Sequence, residues 1–349
     1  MRSWIGMGLA ILALHILGWG TLLLVVVPGH HVVQGSVFGA GLGITAYTLG
    51  MRHAFDADHI AAIDNTTRKL VAESGRVRSH TVGFWFALGH SSIVFVMVAL
   101  LALGVRALAG SLADEGSGLH RWTGLWGTSI SGSFLIAIGL LNLVSLAGIW
   151  KVYRRMRGGD FDEARLERAL AERGALNRML GPVVKLVRRP WQMYPAGLLF
   201  GLGFDTVTEV GLLVIAGGAA ATGLPWYTIL VLPLLFSAGM ALFDALDGAF
   251  MSYAYDWAFA RPVRRIYYNL VITGLSVAVA LLIGTQEIVA LLVEKLNITS
   301  GFVAWIGNLD LSGLGYLVVG LFVLTWTVAL AVWRFTDIEA RWERDLVSD

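Results

Sequence analysis

The chain has 349 residues, 56% of them hydrophobic and only 14% charged, with a mean hydropathy of +0.70 and a net charge of +2. Soluble domains carry roughly 25% charged residues, so a soluble globular class is excluded. Cysteine is absent, which removes disulfides and thiolate metal sites and leaves His, Asp, Glu, Met and backbone oxygen as metal donors.

Apolar runs long enough to cross a bilayer, about 20 residues each, recur near 4–28, 37–63, 80–108, 124–150, 193–222, 226–257, 264–293 and 313–334. They predict an all-α polytopic membrane protein with eight transmembrane helices. The first run has one early Arg and no small-residue cleavage site, so it reads as a retained span and not as a signal peptide. The chain divides into 1–150 with four spans, a basic cytoplasmic loop at 151–192, 193–334 with four more spans, and a cytoplasmic tail at 335–349. In the loop, Asp160-Phe-Asp-Glu163 resembles a capped helix start. Leu166, Leu170, Arg173 and Leu176 then give an amphipathic face for the inner membrane surface.

Orientation follows from Lys and Arg. The segment Arg68–Arg78 holds four and Lys151–Arg189 eleven. Arg261, Arg264 and Arg265 follow the sixth span, and Arg334, Arg341 and Arg344 follow the eighth. With Arg2, all fall on one side of an eight-span chain, leaving Arg106, Arg121 and Lys295 on the other. Both termini are therefore expected to be cytoplasmic.

Ionisable groups inside spans are costly and mark function. The first span holds His15. The second holds His53, Asp56, Asp58 and His59, with Asp64 at its inner end, and the third holds His90, Ser91 and Ser92. The fifth holds Asp205, Thr208 and Glu209; the sixth holds Met240, Asp244 and Asp247. Only Arg52 is available inside the spans as a cationic partner, so these carboxylates call for an imported cation. On a continuous helix, His53, Asp56 and His59 follow at about 60° intervals on one face, and Asp58 turns away. Were the polar run unwound near Gly50, all four could converge, because irregular backbone is tolerated where it lines a cavity. Asp205, Thr208 and Glu209 share one face, as do Met240, Asp244 and Asp247. Imidazole with carboxylate and no thiolate suits a borderline divalent ion, with geometry left to choose among Ni²⁺, Co²⁺ and Zn²⁺.

Phe55-Asp56-Ala-Asp58 resembles Phe204-Asp205-Thr-Val-Thr-Glu209, and Phe86-Ala-Leu-Gly89-His90 resembles Phe236-Ser-Ala-Gly239-Met240. Each pair is three spans apart, so the paired helices run in opposite directions. That pattern predicts an inverted repeat of spans 2–4 against spans 5–7, with a substrate site at the midplane.

These residues carry a family resemblance. Arg52-His-Ala-Phe-Asp-Ala-Asp-His-Ile-Ala-Ala-Ile-Asp-Asn-Thr-Thr67 contains the His-x4-Asp-His signature of the nickel/cobalt transporter family as His53, Asp58 and His59. Leu88-Gly-His-Ser-Ser92, Leu202-Gly-Phe-Asp-Thr-Val-Thr-Glu209 and Leu242-Phe-Asp-Ala-Leu-Asp-Gly248 resemble its other blocks. The resemblance runs over nearly the whole chain and is strongest to bacterial high-affinity nickel uptake permeases. It implies eight spans, cytoplasmic termini, a metal path through spans one, two, three, five and six, and essential roles for His53, Asp56, Asp58 and His59. Many members carry Asn in the first span where this chain places His15, which adds a candidate ligand bearing on nickel against cobalt. Efflux relatives often carry a His-rich loop, whereas 151–189 contains no His. The function implied is a permease, not an enzyme, that imports Ni²⁺, with Co²⁺ as the second candidate, across a bacterial inner membrane. Metal ligands are expected among His53, Asp56, Asp58, His59, Asp205 and Glu209. Supporting positions are His15, His90, Ser91, Ser92, Thr208, Met240, Asp244 and Asp247. The partners are the divalent ion and the bilayer, with no cofactor and no nucleic acid. Efflux of a divalent metal and membrane-bound metal sensing are the rival functions.

Overall fold

A computed structural model describes residues 2–33, 36–74, 79–102, 118–156, 187–202, 212, 216, 218, 224–259, 262–309 and 314–335. The cytoplasmic-loop helix expected near 160–176, and Asp205, Thr208 and Glu209, lie outside these residues. The described chain is helical apart from a two-residue hairpin, in which β1 (Val32–Val33) pairs antiparallel with β2 (Ser36–Val37). Its helices are α1 (Arg2–Thr21), α2 (Ala40–Ala54), α3 (Ala57–Ser74), α4 (Val82–Ala102), α5 (Gly118–Met156), α6 (Met193–Phe200), α7 (Trp226–Phe259), α8 (Pro262–Lys295), α9 (Phe302–Gly307) and α10 (Leu314–Phe335).

Five helical segments are long and apolar enough to cross a membrane: Trp4–Gly29, Val82–Leu100, Leu125–Lys151, Trp226–Trp257 and Leu270–Lys295. They coincide with the first, third, fourth, sixth and seventh apolar runs of the sequence. Leu314–Val328 is a shorter apolar helix at the eighth. The second run is divided into α2 and α3, and the fifth opens as α6 before entering undescribed residues. The second run is thus interrupted within its His and Asp motif.

Helix α7 is the hub. Its spanning window is 72% buried, against 22% for that of α1, and it packs on α1, α2, α3, α4 and α8. The lipid-facing character of α1 follows from its exposed Leu9, Leu12, Ile16 and Leu17. In hydrocarbon there is little hydrophobic force between apolar helices, so close backbone approach at small residues has to supply the packing. Two joints here have the same construction. Where α2 crosses α7, a Cβ on Gly50 would stand 2.0 Å from the Phe236 carbonyl oxygen, and one on Gly239 would stand 2.5 Å from that of Tyr47. Where α4 crosses α6, a Cβ on Gly89 would stand 2.1 Å from the Tyr194 oxygen, and one on Gly197 would stand 2.1 Å from that of Phe86. In both, a Tyr-x-x-Gly turn sits against a Phe-x-x-Gly turn.

Polar side chains tie the bundle on the α3 side. Asn142 donates to Asn65, and Arg68 Nη1 donates to Thr273 Oγ1 at 3.0 Å. Arg68 is buried within the bundle, and Arg52 is exposed on α2.

Gly239→Ala and Gly89→Ala should each destabilise the detergent-purified protein by about 1–3 kcal/mol, the usual cost of overpacking. Gly20→Ala, where a Cβ meets nothing within 4 Å, should melt like the wild type. Equal melting temperatures for all three would show that the joints are not tight.

Candidate metal centre

The helix that the second apolar run begins does not continue through its polar motif. α2 closes at Ala54, with the Phe55 N–H bonded to the Arg52 carbonyl and the Asp56 N–H to the His53 carbonyl at 2.9 Å. α3 restarts at Ala57, and its first turn carries Asp58, where a carboxylate faces the positive end of the helix dipole. The polar run is interrupted, at Phe55–Asp56, while Gly50 stays helical within α2 and Asp58 is not among the converging groups. His53 therefore closes one helix, and His59 sits in the opening turns of the next.

The break brings three imidazoles together. His53, His59 and His90 are 1%, 0% and 2% exposed, and one nitrogen from each lies within 4.8 Å of the others. Their ring centroids are 4.5, 4.7 and 4.8 Å apart. Phe236 lies against His53 and Phe86 against His59, at 5.7 and 4.8 Å between centroids. These are the phenylalanines of the two helix joints, so the packing that seats the helices also walls the site. His90 was expected only to support the path; it converges with the signature histidines from the middle of α4.

Carboxylates fix two of the rings. His53 Nδ1 donates to Asp56 Oδ2 at 2.6 Å, and His59 Nδ1 donates to Asp244 Oδ2 at 3.2 Å. A carboxyl oxygen facing each Nδ1 suits a neutral ring that carries its proton there and turns the Nε2 lone pair inward. His90 Nε2 then donates to His53 Nε2 across 3.0 Å. His59 Nε2 and Asp244 Oδ1 are fully buried with no hydrogen-bond partner. An orphaned buried lone pair is expensive, and a cation satisfies it. A carboxylate behind each of two histidines is the arrangement that orients metal-binding imidazoles and raises their basicity. Asp56 thus stands behind the His53 ring, and Asp244, 185 positions from His59 in sequence, backs the second ring.

The other expected residues take different places. Asp58 is half-buried in the first turn of α3. His15 Nδ1 donates to the Ile11 carbonyl at 2.8 Å, so its Nε2 accepts from the Tyr47 hydroxyl at 3.2 Å. Both ring nitrogens are engaged, and His15 is not part of the converging group. Ser91 and Ser92 donate to the Ala87 and Leu88 carbonyls, and Ser92 also meets the Tyr194 hydroxyl at 3.0 Å, linking α4 to α6. Met240 is buried in an apolar cluster with Phe236 and Ala54. Asp247 lies one turn beyond Asp244, its Oδ2 buried.

Such a fold and site define a multi-pass membrane protein with a buried histidine group able to hold a divalent metal ion. Residues 39–332 match the family described as high-affinity nickel-transport protein, and the chain belongs to that family. It is 54% identical to the nickel transporter NicT of Mycobacterium tuberculosis over 97% of this chain and 92% of that protein. It is 43% identical to the nickel transporter NixA of Staphylococcus aureus, covering 98% and 97%. The cobalt transport protein NhlF of Rhodococcus rhodochrous is 42% identical, covering 92% and 89%. No solved structure matches the chain.

Removing an orienting carboxylate should weaken metal binding without abolishing it. Asp244→Ala and Asp56→Ala are each expected to lower Ni²⁺ affinity of the purified protein about 10–100-fold. Calorimetric titration measures this, and an unchanged affinity in Asp244→Ala would remove the orienting role.

Proposed function

We propose that this protein is a secondary transporter that imports Ni²⁺, with Co²⁺ as a second substrate, across the bacterial plasma membrane. The observation that carries it is the convergence of His53, His59 and His90 with Asp56 and Asp244 behind two of the rings. The names of the relatives support the same substrate.

The donor set favours a borderline ion. Imidazole suits nickel and cobalt, and oxygen-only cages suit Mg²⁺, Ca²⁺ or Mn²⁺. Nickel with nitrogen and oxygen donors favours square-planar or tetragonal coordination, and tetrahedral geometry belongs to structural zinc. His53, His59 and His90 are the ligands in this reading. Asp56 and Asp244 orient rings and offset the ion's charge, and Asp58, Asp205 and Glu209 supply further oxygen and negative charge along the path. His15 acts through Tyr47 on the α2–α7 joint and tunes the choice between nickel and cobalt.

The chain crosses the membrane eight times in this reading, with both termini cytoplasmic, as the bias of Lys and Arg requires. Spans 2–4 and 5–7 form an inverted repeat. The two joints support it: Tyr47 and Gly50 correspond to Tyr194 and Gly197, and Phe86 and Gly89 to Phe236 and Gly239. A two-fold relation that exchanges spans two and five and spans three and six carries the α2–α7 crossing onto the α6–α4 crossing. α2 ends four residues past Gly50 and α6 ends three past Gly197, which is in keeping with the repeat. Broken helices at the midplane are where such transporters hold their substrate. Entry is downhill in potential, worth about 2.3 kcal/mol per charge per 100 mV.

The test is Ni²⁺ counterflow in proteoliposomes. The wild type should accumulate labelled Ni²⁺. His59→Ala and His90→Ala should each cut the rate by about 100-fold or more, because each deletes a ligand with no substitute nearby. Full activity in His90→Ala would reduce the site to two histidines and overturn the three-imidazole assignment.

A further inference from the structure

The turn that joins α2 to α3 is the weak point of the second span. Its N–H groups, those of Phe55 and Asp56, reach back only three residues, to Arg52 and His53, so the helical ladder is interrupted there. The turn also carries chemistry, because Asp56 Oδ2 faces His53 Nδ1 at 2.6 Å and α3, which bears His59, starts at the next residue. Any shift of the turn therefore moves the Asp56 carboxyl and the helix that holds His59. Interrupted backbone at membrane depth has to be enclosed by protein. α7 supplies one side of that enclosure. The Phe243 ring lies 5.5 Å from that of Phe55, and the residue after Phe243 is Asp244, which faces His59.

α10 supplies another side. Gly315, in its first turn, is buried against the break. A Cβ there would stand 2.7 Å from the Phe55 carbonyl carbon, closer still to the carbonyl oxygen, and 3.2 Å from Ile60 Cδ1 on α3. No side chain fits at such a distance, so glycine lets backbone rest on backbone. Tyr316, the next residue, lays its ring on that of Phe55, with centroids 5.0 Å apart and planes at 25°. Phe55 is thus in contact with rings from both α7 and α10. Further along, Val318 and Phe322 of α10 are buried in the same cluster as Ile60 and Ile63 of α3, which seats this contact on a packed helix pair. α10 lies outside the metal path that the family resemblance implies and outside the repeat of spans 2–4 and 5–7, so neither accounts for these contacts.

We propose that Gly315 and Tyr316 are positioning residues of the metal site: α10 braces the Phe55–Asp56 turn and so keeps His53 and His59 convergent. This rests on the transport reading above, in which those histidines hold the ion. Both residues act through Phe55, and neither supplies a ligand. The backbone contact at Gly315 sets where the turn lies, and the stacked Tyr316 ring limits how far it moves. A site whose supporting contacts are loose has to be drawn together by the ion itself, and its affinity falls accordingly.

The test is Ni²⁺ uptake by the full-length protein in proteoliposomes, with KM and maximal rate read separately, beside calorimetric Ni²⁺ titration of the same proteins. Gly315→Ala pushes the Phe55 carbonyl away, and Tyr316→Ala removes the stacked ring. Each should raise KM and weaken Ni²⁺ binding about tenfold, with the maximal rate within about twofold of wild type. Tyr316→Phe keeps the ring and should restore the wild-type KM. Gly320→Ala, on the same helix where a Cβ meets nothing within 4 Å, should also match the wild type. A role in folding alone gives the opposite pattern: less active protein, hence a lower maximal rate at unchanged KM. That pattern in Tyr316→Ala would overturn the proposal. So would a wild-type KM in both Gly315→Ala and Tyr316→Ala, or a Tyr316→Phe protein as impaired as Tyr316→Ala. Tyr316→Ala is the decisive variant, because the Tyr316 side chain is 50% exposed and its loss leaves no buried cavity, whereas Gly315→Ala could unfold the crossing. Failure of the histidine reading looks different: His59→Ala would then keep its Ni²⁺ affinity.

Discussion

A divalent cation enters the interior of a membrane protein only if something replaces its water and offsets its charge, because an isolated charge in a low-dielectric medium is prohibitively costly. Three neutral imidazoles replace water but compensate no charge. The site divides the two tasks: the Nε2 lone pairs of His53 and His59 face inward with the His90 ring beside them, while the carboxyls of Asp56 and Asp244 stand one ring away. The carboxylates also fix which nitrogen carries the proton, so two rings present lone pairs without rearranging when the ion arrives. Preorganisation of this kind is what lets a buried site compete with hydration.

That constraint shapes the helices. A straight α2–α3 helix would hold His53 and His59 on one cylinder, each reaching sideways. The turn at Phe55–Asp56 lets the rings approach one another and leaves the Asp56 side chain beside His53. A broken span cannot rely on its own backbone hydrogen bonds in lipid, so protein must surround it. The glycine joints provide this enclosure: Gly50 and Gly239 bring α7 against α2, Gly89 and Gly197 bring α6 against α4, and the phenylalanines of those turns seal the histidines.

Much of this was legible in the residues. Run length and low charge marked the membrane class, and the density of His and Asp marked the second span. Arg68, which the sequence offers only as one of a group of cations at the end of the second span, is inside the bundle, where Thr273 receives it, a packing contact 205 residues apart. The role of His90 was only partly visible. Its Gly89-His90 pair stood out in an apolar span, yet nothing local says that α4 passes the end of α2. Asp244 as the partner of His59 is a contact 185 residues apart, set by helix packing and invisible to periodicity.

The most direct test of three converging imidazoles is X-ray absorption at the nickel K-edge on the Ni²⁺-loaded, full-length protein, which counts nitrogen neighbours and imidazole rings around the ion. Three imidazoles at about 2.1 Å in the wild type, two in His90→Ala, and a six-coordinate or square-planar edge are the expected results. A tetrahedral edge, or a shell of oxygen atoms with no imidazole scattering, would contradict the histidine site outright.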